Sequence, residues 1–118
     1  MATSGLFIGW GDIRSGRNAV ANKVFAEALA YWPTLQAAGE IESFETVLLG
    51  AHGGDLSGFF LLRGDSERLG RLSMSPDFRR LMYRANVVVE GLGVVPANLD
   101  AEAIREVGVS TEATADLA

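Results

Sequence analysis

Six side chains in this 118-residue sequence have types and spacings that invite chemistry: Trp10, Glu45, His52, Asp55, Phe59 and Arg63. His52 is the only histidine, and imidazole is the side chain whose unperturbed pKa lies nearest neutrality. It is the candidate general base. Asp55 stands three residues on to orient it, and Gly53-Gly54 between them offers backbone N–H groups to a substrate oxyanion. The competing reading is a histidine at a hairpin tip, beside two glycines that supply positive-φ backbone. Glu45 and Arg63 are charges set in otherwise apolar stretches. A cross-strand ion pair is the first account of them; charged groups in an apolar cavity also mark a binding site. Trp10 and Phe59 either line that cavity or belong to an ordinary core.

Other chemistries fall away on composition. The chain has no cysteine, which excludes disulfides, thiol catalysis and thiolate metal sites. With one histidine, a metal centre would need His52 with Asp55, or two copies, and would be sparse; no metal and no cofactor is expected. Gly9-x-Gly11 resembles a nucleotide loop, but the third glycine of that pattern falls at Arg14. Arg80 and Arg84, four apart and beside Arg79, either clamp an anion or form a solvated helix face. The formal charge is −5. Residues 97–118 hold five acids against Arg105 alone, while the body is nearly balanced. No basic footprint for nucleic acid is present. No apolar run approaches the ~20 residues of a membrane span, and Met1–Gly5 has no basic segment of a secretory signal. A cytoplasmic protein is expected. At 48% hydrophobic and 21% charged residues the chain is long and apolar enough to fold as one domain.

The elements that must position these residues follow from periodicity. Leu6–Ile13 reads as a strand, apolar on both faces. Ala21, Val24, Phe25, Ala28, Trp32 and Leu35 form a helical stripe, with Gly39 placed to end it and Pro33 to kink or break it near Tyr31-Trp32. Ile41–Leu49 and Gly58–Arg63 read as strands around a turn-rich loop, Gly50–Asp55. A hairpin centred near Gly54 sets Glu45 opposite Arg63 or one step diagonal to it. Asp65 or Ser66 caps a short helix to about Met74. Ser75-Pro76-Asp77 restarts it, with Ser75 as cap and Phe78, Leu81, Met82, Ala85 and Val88 as the buried stripe. A last strand spans Val89–Val95, ended by Pro96. Residues 1–96 then form the domain, and 97–118 an acidic extension, partly disordered, with one short helix over Asp100–Val107 and a mobile end.

The order β-α-β-β-α-β is the ferredoxin-like plan, α+β, with a four-stranded antiparallel sheet and two helices on one face. Phe7-Ile8, Phe59-Phe60, Leu61-Leu62 and Val94-Val95 are adjacent apolar pairs. Both sheet faces are therefore apolar, and two helices cover only one of them.

On this element order, these two-faced strands and the Ser75-Pro76-Asp77-Phe78 restart, the chain over Leu6–Pro96 resembles the dimeric α/β barrel superfamily. It is also similar to small uncharacterised bacterial families of that type, through Gly39-Glu40-Ile41-Glu42-Ser43-Phe44-Glu45 and His52-Gly53-Gly54-Asp55-Leu56. The resemblance implies two sheets packed face to face in a homodimer. The YCII-like branch implies a histidine in the first strand and an Asp-Pro pair near the second helix. This chain has neither, so no acid–base dyad carries over. The haem-binding branches imply an axial histidine in the second half of the chain, which is also missing.

Two functions are expected from these residues. One is a protein that binds a small apolar or anionic molecule, or a cofactor-free enzyme, with Trp10, Glu45, Phe59 and Arg63 around a cavity and His52 and Asp55 as the candidate catalytic pair. The other is a non-catalytic dimerisation or interaction module whose inner charges set register.

Overall fold

The structure, a computed structural model, describes residues 1–117. Strands β1 (Ser4–Trp10), β2 (Ser43–Leu48), β3 (Gly58–Gly64) and β4 (Gly93–Asn98) form an open antiparallel sheet in the order β2-β3-β1-β4. Helices α1 (Asn18–Ala37), α2 (Ser66–Ser73) and α3 (Pro76–Val88) cover one face, and α4 (Ala101–Ala113) follows β4. This is the ferredoxin-like fold.

The core lies between the sheet and α1–α3. Leu6, Ile8, Phe60 and Leu62 point into it from the central strands, and Trp32, Leu69, Leu72, Phe78 and Leu81 from the helices. Phe60 is its hub, with ring centroids 4.9 Å from Trp10, 5.5 Å from Phe25 and 5.3 Å from Trp32. Trp32 is fully buried, and its indole N–H has no hydrogen-bond partner among the described residues. Its contacts are edge-on to Phe60 and tilted against Phe78.

Gly39 ends α1 as expected. With φ of +76° it closes a Schellman motif, Gly39 N–H donating to Gln36 O (3.1 Å) and Glu40 N–H to Leu35 O (2.9 Å). Pro33 does not break α1, which is continuous through it. The carbonyl that loses a donor belongs to Leu29, on the exposed side of the helix, where it is not sealed from solvent. Asp65 caps α2, accepting from Arg68 N–H at 3.0 Å. Ser75 occupies the cap position of α3 but makes no capping bond; its hydroxyl donates instead to Leu72 O at 2.7 Å.

Three expected boundaries shift. β1 stops at Trp10, and Ile13 makes only an isolated bridge to Val89. β4 starts at Gly93 and runs through Pro96. It is an edge strand, where a residue without N–H is tolerated because the outward side needs no donor. The expected short terminal helix is longer: α4 crosses Gly108 and reaches Ala113, and a 3-10 turn follows over Ala115–Leu117. Ala118, the last residue of the expected mobile end, lies outside the described residues.

Candidate functional site

Strand alternation divides the sheet between two environments. On β1, Leu6, Ile8 and Trp10 face the helices, and Gly5, Phe7 and Gly9 face away. Register carries this across: Gly5 lies opposite Arg63, Phe7 opposite Leu61 and Gly9 opposite Phe59, while β2 sets Ser43, Glu45 and Val47 against Arg63, Leu61 and Phe59. Trp10 is therefore on the helix side and Glu45, Phe59 and Arg63 are on the outer side. The four residues expected around one space occupy two. Trp10 does not share the space of the charges, because alternation along β1 puts it with Leu6 and Ile8, while Glu45, Phe59 and Arg63 take the face on which a partner sheet is expected.

The helix side holds a cavity of about 260 Å³ between the sheet and the α1–α3 pair. Trp10, Phe25 and Phe60 form an aromatic wall; Leu81, Met82, Ala85 and Val88 face it from α3. Asn22 supplies the one polar side-chain amide, and no charged residue lines the space. The cavity opens where its lining reaches solvent, at Ile13, Asn22 and Leu48, the last 69% exposed. The mouth is pinned by the chain on either side of it. Gly11 N–H donates to Glu90 O (2.7 Å), Arg14 N–H to Val88 O (2.8 Å) and Glu90 N–H to Asp12 O (2.8 Å). Arg14 adds an ion pair to Glu90 at 3.0 Å. Behind the wall, Gly58 allows the Trp10 ring to lie across β3: a Cβ there would stand 2.8 Å from Trp10 Cζ2 and 2.7 Å from Val47 O.

Phe25, Met82 and Ala85 were expected in buried stripes and not in the lining of the expected cavity. A signal was present. Ala21 and Ala28 on α1 and Ala85 on α3 are small residues on facing helix surfaces, where large ones would have filled the gap.

The outer side carries the charged cluster. Arg63 Nε donates to Glu45 Oε1 at 3.2 Å and Nη1 to Asp100 Oδ2 at 3.3 Å, with the Arg63 side chain only 15% exposed. The hydrogen bond to Glu45, then that to Asp100, raises the guanidinium pKa further above its ordinary value. Around it lie Phe7 and Phe59, ring centroids 5.0 Å apart, with Leu61 and Val95.

His52 and Asp55 lie in the β2–β3 loop, and both are exposed. Gly54 N–H donates to His52 Nδ1 at 3.2 Å, and His52 Nε2 lies 2.8 Å from Leu56 O. Nδ1 accepts, so Nε2 carries the proton and donates. Both ring nitrogens serve the loop, and Asp55 does not orient the ring. Neither residue lines the cavity.

Arg84 is taken up by Glu27, in a two-pronged pair at 2.8 and 2.7 Å that ties α3 to α1. That hydrogen bond, opposed by burial, holds the Glu27 carboxyl below the ordinary carboxylate range. Arg79 and Arg80 border an open groove with Pro76 and Tyr83 and make no salt bridge among the described residues. No group of three or more metal-ligating side chains occurs among the described residues. No described helix is long and apolar enough to cross a membrane.

No protein-family profile matches the chain, and no curated protein matches it. Solved structures do match in fold. A DABB family protein with a ferredoxin-like fold from Mesorhizobium loti superposes with a TM-score of 0.62 at 12% identity, over 80% of this chain and 94% of that one. A dimeric ferredoxin-like protein of unknown function from Jannaschia sp. gives 0.61 at 13% identity, over 83% and 99%. SnoaB, a cofactor-independent oxygenase from Streptomyces nogalater, gives 0.53 at 17% identity, over 85% and 94%.

Proposed function

We propose that this ferredoxin-like chain is a cytoplasmic homodimer that binds one small, flat, largely apolar molecule in the cavity of each protomer. The observation that carries the reading is the cavity itself. Its volume of about 260 Å³ exceeds the ~150 Å³ of an engineered cavity that takes up benzene. It falls just below the ~300–1,000 Å³ of drug-sized pockets. The match is to a two-ring molecule, stacked on Trp10, Phe25 and Phe60, with one polar group toward Asn22 at the mouth. Met82, unbranched and adaptable, adjusts to its outline.

The homodimer is supported by the outer sheet face, where Phe7 and Phe59 are half-buried and Val95 is exposed with no helix of α1–α3 over them, and by the dimeric state named for the Jannaschia structure. Face-to-face stacking of two sheets buries such surfaces. Arg63, Glu45 and Asp100 then set the register at the rim.

A second reading, a cofactor-free enzyme, draws support from SnoaB. With no acid or base in the cavity lining, this chain's contribution would be confined to binding, orientation and exclusion of water, and the reactivity would belong to the substrate. Binding without turnover is the reading the lining favours.

The test is a panel of bicyclic phenols and naphthols, followed by Trp10 fluorescence in a Trp32→Phe background. Quenching with saturation is expected, and Ala85→Phe, which fills the space, should weaken binding at least tenfold while leaving the fold intact. Binding unaffected by Ala85→Phe, or no binding across the panel, overturns the cavity as the site.

A further inference from the structure

Helix α4 is amphipathic, and among the described residues nothing buries its apolar stripe. No residue of Ala101–Ala113 is buried. Ile104 is 75% exposed and Val107 64%. With Thr111 they fall at i, i+3 and i+7, on one face. A helix of 13 residues is marginal in water unless such a stripe is packed. The radius of gyration, 16.0 Å, exceeds the ~13.5 Å expected of a compact domain of this length, as an arm standing off the body requires.

The arm starts on the outer sheet face. Leu99 N–H donates to Thr3 O at 2.8 Å, and Leu99 Cδ1 lies where a Cβ on Gly5 would come within 3.0 Å. Asp100 turns the chain with φ of +53° and ψ of −123°, a backbone that a non-glycine residue keeps only where its surroundings impose it. Its carboxylate is held by Arg63. Leu99 thus continues the apolar surface of Phe7, Phe59 and Val95 toward Ile104 and Val107.

Area and charge choose the occupant. Four strands ~4.8 Å apart and six residues at ~3.4 Å give the sheet face a footprint of only roughly 400 Å². The arm, ~20 Å long, extends it. The segment 97–118 carries five acids and one arginine, so two arms repel one another, while Arg79 and Arg80 make no salt bridge among the described residues.

We infer that α4 is a dimer clamp, which packs Ile104 and Val107 onto the body of a second copy, arm to body and not arm to arm. The inference rests on the homodimer proposed above and deepens it.

The chain has no cysteine, so a nitroxide on Thr111→Cys reports on the arm alone, beside sedimentation of wild type, Phe59→Asp and Ile104→Asp/Val107→Asp. The clamp predicts a slow spectrum in the dimer that turns fast on dilution, and at least a tenfold weaker dimer in the double variant. A dimer with a fast label, or with unchanged affinity in the double variant, overturns the clamp and leaves sheet stacking in place. A slow label at every dilution shows an arm folded on its own body and also overturns it. A dimer that survives Phe59→Asp but not the double variant overturns sheet stacking and leaves the clamp. A wild-type monomer at micromolar concentration overturns both.

Discussion

Arg63 meets Glu45 diagonally across the β2–β3 ladder, Nε to Oε1 at 3.2 Å, while the residue directly opposite Arg63 is Ser43. The hairpin is centred on Gly53, one residue before the expected Gly54, which moves every pairing by two and keeps both charges on the outer face. Arg63 also spans to Asp100, so a single guanidinium links β2, β3 and the base of α4. Arg63→Ala is expected to lower the melting temperature more than Arg79→Ala, which breaks no salt bridge. In a double-mutant cycle with Glu45→Gln the two changes should be non-additive. Additive effects would show that the pair does not act as a unit.

The Glu27–Arg84 pair predicts an acid dependence. Glu27 has a lowered pKa in the folded protein, chiefly through its hydrogen bond to Arg84. Its contribution is therefore fully present above the ordinary carboxylate value of 4.5 and is lost as pH falls through the lower folded value. Glu27→Gln should be less stable than wild type at pH 7, and the gap should narrow as pH drops below 4.5. Urea titrations at a series of pH values measure it; a gap independent of pH would rule the linkage out.

Gly58→Ala puts a methyl group against the Val47 carbonyl and the Trp10 ring. The carbonyl cannot yield without moving β2, so a loss of ~1–3 kcal/mol is expected. The Trp10 emission should shift as the ring is pushed toward the cavity, and ligand binding should weaken with it. Unchanged emission would mean that the strand, not the ring, gives way.

His52→Ala should leave ligand binding intact and cost ~0.5–1.5 kcal/mol through its two loop hydrogen bonds. The Gly54 amide should exchange faster with solvent, and nitrogen NMR of the wild type should show the Nε2–H tautomer. Loss of binding in His52→Ala would restore the histidine to the site.

The features legible in the sequence are those whose cause is local. The stripe from Ala21 to Leu35 depends on a period of 3.6 within one segment, Gly39 on a positive φ that few other residues adopt, and Asp65 on a carboxylate within reach of Arg68 N–H. Pro96 misled because proline ends an interior strand, and only the sheet order shows that β4 is an edge. The tail misled for a related reason. Gly108 and the small polar residues after it weaken a helix by propensity, yet α4 runs on to Ala113.

The candidate site was legible residue by residue but not as a group. Trp10, Glu45, Phe59 and Arg63 stand out because each is conspicuous in its own strand, and the adjacent apolar pairs point to apolar residues on both sheet faces. The face each residue takes depends on pairing with another strand. That is set by a turn and by burial over distant positions, and a slip of one residue reverses it. Composition, element order and capping thus belong to the sequence by itself, because they arise from neighbours along the chain. The separation of Trp10 from Arg63, the cavity left by Ala21, Ala28 and Ala85, and the binding of both His52 nitrogens within its loop were decided only by tertiary structure, because each depends on what packs against the residue through space.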